Sequence, residues 1–235
     1  KPSLIINKYM NSPIETLIHL FDKDRNEYIE YNFVQGEPIP LFGQSIIKKL
    51  QKFKKKVGSI SVFKTNMPSK SAEFSDEQTS VFSYINIKTC IIDDNLNPKL
   101  VFNYSKSPQS FHGKPKLILA HKMYGFPFLD KTGKYGISNR DNYVITGKSL
   151  MDFKKLSDFF STKTALYIFE ATRYRMKYLE KYAFELMPDI CRLSNFPKEI
   201  NDQTIAEYFG FDEHDSENIR RLHKREYTFT HINIK

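Results

Sequence analysis

The chain predicts an α+β domain: a strand-rich N-terminal half, a central antiparallel sheet, and helices packed on that sheet. Three observations predict it. Short apolar runs separated by turn residues fill Lys114–Thr146, the pattern of strands joined by tight turns. Apolar residues recur at three- and four-residue steps in Gly43–Lys56 and again from Ser149 to Thr172, which is the helical period. Glu27–Val34, Val81–Ile92 and Leu100–Tyr104 gather β-forming residues between turn signals.

The central stretch has the clearest pattern. Leu117, Ile118 and Leu119 make a strand buried on both faces, and Pro115 fits only at its start, having no N–H for the ladder. A second strand, Phe126–Leu129, runs into Asp130-Lys131-Thr132-Gly133. In that turn Asp130 is expected to bond the backbone two residues on and Gly133 to take a positive φ. The chain is expected to return as Lys134–Ile137 and, after Ser138-Asn139-Arg140-Asp141, as Asn142–Thr146. This is a rigid platform whose turns carry Lys122, Tyr124, Lys134, Asn139 and Arg140. Tyr135 and Tyr143 are expected to pack below the Ser138–Asp141 turn and hold it still.

From the N-terminus, Leu4–Ile6 resembles a strand, and Ser12-Pro13 suits the start of a short helix, Pro13–Phe21. A polar turn, Asp22–Asn26, leads to the strand Glu27–Val34. In Gly43–Lys56, Ile46, Ile47, Leu50, Phe53 and Val57 form one apolar stripe, and six lysines crowd the remaining surface. Those lysines suit either phosphates or a solvated face, and their spread argues against a focused contact. Gly58–Thr65 is expected as a strand, Asn66–Gln78 as a polar loop, and Val81–Ile92 as a strand with Ile85, Ile87 and Thr89 on one face. Asp93–Pro98 forms a turn before Leu100–Tyr104. Ser149 is expected to cap a helix ending at Phe160, with Leu150, Phe153, Leu156 and Phe160 inward, and Ser161 another ending near Thr172. Asn201 should cap a helix over Asp202–Phe209, a further helix begins at Phe211 and runs through Leu222, and Thr228–Ile234 forms an edge strand. The chain therefore divides into a strand-rich part, 1–110, a sheet-and-helix part, 111–196, and a helical tail, 197–235.

The net charge of +9 suits a polyanionic partner, nucleic acid above all. No apolar run approaches the roughly 20 residues of a membrane-crossing helix, and no signal peptide is evident, so no membrane partner is expected. Lys1-Pro2 without Met points to a piece of a longer polypeptide. Two cysteines in unlike contexts and six scattered histidines suggest neither a disulfide framework nor a metal centre. An intracellular, cytoplasmic compartment fits. The abundance of Phe and Tyr, at 20 and 14 with no Trp, also fits an A+T-rich coding sequence.

Residues 111–196, with "GKPKLIL", "GFPFLDKTGKYGISNRDNYVI" and "FFSTKTALYIFEATRYRMKYLEKYAFELMPDI", resemble the target-recognition domain of adenine-N6 DNA methyltransferases. These are the enzymes of type II and IIG restriction–modification systems and their relatives in large DNA viruses. That family pattern has a Pro-Lys-aliphatic strand, an Asp-x-x-Gly-x-Tyr-Gly hairpin, a strand, two helices, and a strand ending near Pro. The "IAEYFGF" to "ENI" tail is similar to the C-terminal end of many such enzymes. The resemblance implies double-stranded DNA as partner, loops entering a groove, and a catalytic domain in the same or another polypeptide that binds S-adenosylmethionine and flips the adenine. The compartment would then be a microbial cell or a viral replication site.

Catalysis by this segment alone is not expected. The Asp/Asn-Pro-Pro-Tyr/Phe loop that holds a flipped adenine is absent, as is a glycine fingerprint for the methyl donor. No carboxylate–lysine arrangement of a nuclease stands out. Catalytic, cofactor and metal residues are accordingly assigned as none. Arg173, Arg175 and Lys177, interleaved with tyrosines at a helix exit, suit phosphates or bases; the alternative is comfort at a helix C-terminus. Asn139 and Arg140 suit bidentate contacts to adenine and guanine; the alternative is an ordinary surface turn. The competing functions are a nucleic-acid enzyme with a degenerate site and a protein-interaction module.

Overall fold

The computed structural model describes residues 17–22, 27–32, 38, 40, 42–92, 98–120, 127–172 and 179–221. In order the elements are β1 (Leu17–Asp22), β2 (Glu27–Asn32), α1 (Gln44–Val57), β3 (Phe63–Lys64), β4 (Phe74–Ser75), β5 (Tyr84–Ile92) and β6 (Pro98–Ser105). Then come β7 (Lys116–Ala120), β8 (Pro127–Asp130), β9 (Gly136–Ile137), β10 (Asn142–Thr146), α2 (Leu150–Phe160), α3 (Lys163–Ala171), α4 (Tyr182–Leu186), α5 (Asp202–Phe209) and α6 (Glu213–Arg221). The α+β class holds. The strands form a hairpin, β1–β2, and two four-stranded sheets ordered β3-β10-β7-β8 and β4-β6-β5-β9.

The first four-stranded sheet is the middle layer. Side chains alternate across a strand, so Leu117, Leu119, Tyr143 and Ile145 face the helices, while Ile118, Ala120 and Val144 face the second sheet. All five residues of β7 are buried, as expected for a strand covered on both sides. On the helical side Phe160, Phe169 and Phe184 meet one another at ring separations of 5.6–6.0 Å, and Tyr143 lies 5.3 Å from Phe184. Each fully buried ring of this kind contributes about 1.5–3 kcal/mol through burial. The many phenylalanines thus fill a core.

Several expectations are corrected. The helix expected over 13–21 gives way to β1 from Leu17, because that segment pairs antiparallel with β2 over six positions. The strand expected over 58–65 contracts to Phe63–Lys64, with one isolated bridge from Ser59 to Pro188. In β5 the ladder shifts between Ile87 and Thr89. The extra residue is a β-bulge that reverses the facing of the rest of the strand, so Cys90, not Thr89, joins Ile87 in the core.

The return after the 130–133 turn does not complete a hairpin. Instead β9 crosses to the second sheet and pairs parallel to β5, Asn86 opposite Gly136 and Ile87 opposite Ile137. The second helix after Gly147 is capped by Thr162, whose side chain accepts from Ala165 N, and not by Ser161. Leu150 is exposed at the first turn of α2 and Phe159 is buried in its place. Where the family pattern has a strand ending at Pro188, the chain forms the short helix α4. The stretches expected as strands at 4–6 and 228–234 lie outside the described residues, as do the turns over 23–26 and 93–97 and the end of the last helix at Leu222.

Candidate nucleic-acid interface

Strand register decides which loops share an end of the central sheet. Asn142 lies opposite Ala120, Leu119 opposite Pro127, and Lys64 opposite Tyr143. The turn 138–141, both strand ends that flank residues 121–126, and the exit from β3 therefore meet at one end. Leu179, the first described residue after 173–178, is tied near that end because the Tyr143 hydroxyl donates to its carbonyl at 2.9 Å. Burial pushes the Tyr143 phenol well above its ordinary pKa, so it stays protonated as that donor. Lys122, Tyr124, Arg173, Arg175 and Lys177 themselves lie outside the described residues.

The turn is bolted to both sheets. Thr65 Oγ1 lies 2.6 Å from the carbonyl of Asn139 and 3.0 Å from that of Asn142, and it accepts from Asn142 N at 3.2 Å. Thr65 N also donates to the Asn142 carbonyl at 3.0 Å. On the other side, Ser138 N donates to Ile87 O, and Ser138 Oγ donates to Asn103 Oδ1 at 2.7 Å. The Asn142 amide reaches the carbonyl of Lys88, the bulge residue, at 3.4 Å. Out of this clamp Arg140 stands exposed and Asn139 half-buried. Tyr135 does not support the turn: it stacks 5.5 Å from Phe102 and edges Phe128 at 5.6 Å, between the sheets.

Lys134 is separated from Arg140. It sits at the opposite end of the central sheet, where Lys116 pairs with both Asp130 and Thr146. There the Lys116 ammonium is fully buried and donates to Asp130 Oδ2 at 2.5 Å, Phe111 O at 3.1 Å and Lys114 O at 3.2 Å. Asp130 also accepts from Lys134 N and Tyr135 N, each at 3.1 Å. Burial pulls Lys116 below the ordinary lysine pKa, while the bond to Asp130 acts the other way. The Asp-x-x-Gly-x-Tyr-Gly motif is thus the joint between the two sheets. Gly133 holds φ 74° with no room for a Cβ, which would lie 2.5 Å from Lys114 N, and Gly136 packs on the Asn86 side chain.

Sequence reasoning missed Thr65, absorbed into an expected strand, and the Lys116–Asp130 pair, hidden in an apolar run. The signal for the pair was available, since a charge at the first position of one strand demands a partner at the last position of the next. Other candidates fall away. On α1, Lys49 pairs with Asp212 at 3.1 Å and with Asp215; burial works against its charge, but the two carboxylates raise its pKa. Burial first, then Asp189 and Asp152, push the half-buried Cys191 thiol up to about 12, so it is no nucleophile at neutral pH. Among the described residues no three His, Cys, Asp or Glu side chains are grouped to hold a metal, and no helix is long and apolar enough to cross a membrane. Comparison with protein-family models, with curated proteins and with solved structures finds no match.

Proposed function

We propose that the chain is the sequence-recognition module of an adenine-N6 DNA methyltransferase or restriction–modification enzyme, with the methyl-donor domain elsewhere in the same or another polypeptide. The observation that supports this best is the clamped turn 138–141 at the end of the sheet. A side chain that reads a base edge must be presented on a backbone that does not move. The hydroxyl and amide of Thr65 and the N–H and Oγ of Ser138 hold that turn, while Arg140 stays exposed with no carboxylate paired to it among the described residues. The net charge of +9 favours approach to a polyanion. Adenine and S-adenosylmethionine enter through the resemblance of residues 111–196 alone.

Selecting bound molecules from a random pool of DNA duplexes tests the reading. An enriched sequence is expected. On it Arg140→Ala should lose about 1–3 kcal/mol of binding, the worth of one bidentate base contact, with little change on random duplex. No enrichment, or equal losses on both, would remove Arg140 from base reading.

A further inference from the structure

We infer that the paired loops 111–114 and 131–134 form a second contact for duplex DNA, a phosphate anchor at the far end of the central sheet. This rests on the DNA-binding reading above but uses different residues. Lys114, Lys131 and Lys134 are all exposed on these loops. The loops are joined backbone to backbone, Gly113 N donating to Gly133 O at 2.8 Å. Beneath them all three ammonium hydrogens of Lys116 are used, on two carbonyls of the first loop and on Asp130 at the root of the second. Like charges on adjoining loops repel, and a buried ion pair is costly to assemble. Here that pair fixes the two loops that carry the three exposed lysines, with the Lys134 ammonium 5.6 Å over the Tyr135 ring. Asp130, the nearest carboxylate on these loops, is occupied by Lys116, and among the described residues none of the three exposed lysines forms an ion pair.

Lysine offers a point charge without the planar fork that distinguishes bases. A phosphodiester backbone therefore suits this surface better than base edges. The two ends of β7 are four residues apart, about 13 Å at ~3.3 Å per residue. The anchor and the turn lie beyond these ends, so a duplex touching both is gripped at phosphates at least about four nucleotides from the bases being read, at ~3.4 Å per nucleotide along one strand.

The test is the salt dependence of binding to duplex DNA, measured by fluorescence anisotropy. The triple variant Lys114→Ala, Lys131→Ala, Lys134→Ala is compared with Lys48→Ala, Lys52→Ala, Lys55→Ala, which removes equal charge from exposed positions on α1. The loop variant should flatten the slope of log K against log salt by ~0.9 for each phosphate no longer neutralised. It should weaken selected and random duplexes by the same factor, while the α1 variant changes the slope much less. An unchanged slope, or equal losses from both variants, would overturn the anchor. If the wild-type chain binds duplex without sequence preference and the loop variant still flattens the slope, the anchor stands and the recognition reading falls. No binding by the wild-type chain sinks both.

Discussion

Thr65 carries a task that its neighbours in the strand do not share. Its hydroxyl and amide reach three backbone groups at the start of β10 and in the turn before it, from Asn139 to Asn142, so a residue 74 positions earlier in the chain sets the shape of the turn. Replacing it by Val keeps the β-branched shape and the bond from its own amide to the Asn142 carbonyl, but leaves the Asn139 carbonyl and the Asn142 amide without the hydroxyl. Leaving buried polar groups unpaired costs about 1–3 kcal/mol. Thr65→Val should therefore lower the denaturant midpoint and reduce the preference for selected over random duplex, whereas Thr65→Ser should restore the preference. A Val variant with full preference would mean that the turn holds itself. The same residue shows what a local reading omits, since nothing within four residues of Thr65 says where its hydroxyl points.

At the scale of elements, helix ends were the most legible feature. Ser149 accepts from Asp152 N, and Asn201 and Thr204 exchange bonds in a capping box, both within three residues and so visible in sequence. One cap was not visible, because it comes from another helix. Asp202, at the start of α5, accepts from Thr164 N and Thr164 Oγ1 at 2.7 Å each and from Lys163 N at 3.2 Å. A carboxylate there meets both the open N–H groups and the positive end of α3. Asp202→Ala should cost about 1–2 kcal/mol in chemical denaturation, more than Asp202→Asn, which retains an acceptor. Equal losses would show that the charge carries the whole effect and a neutral acceptor contributes nothing. The strand β9 is the contrary case. Its two residues form no pattern of their own, and the turn before it suggests a hairpin that the Asp130 clamp prevents.

For the whole molecule, the joint between its two sheets rests on Lys116 and Asp130. Removing one partner of a buried pair leaves a bare charge, which costs about 3–5 kcal/mol, while replacing both by apolar groups can be nearly neutral. Lys116→Met alone should thus destabilise the chain severely, and Lys116→Met with Asp130→Leu should recover part of the loss. The recovery stays incomplete because Asp130 also holds Lys134 N and Tyr135 N. Urea denaturation of the wild type and both variants reads this directly, and a double variant no better than the single would mean that losing those two amide bonds cancels the relief of the bare carboxylate. By itself the sequence determined the α+β class, the capped helices α2 and α5, the apolar stripe of α1 and the doubly buried β7. Each of these follows from periodicity or from interactions a few residues long. Tertiary structure alone decided that β9 joins β5, that a bulge at Lys88 turns Cys90 inward, and that Lys134 stands apart from Arg140. Those outcomes depend on pairings between distant segments, such as Asn86 with Gly136. They are selected by burying both faces of the middle sheet at once, and no local window of sequence carries that constraint.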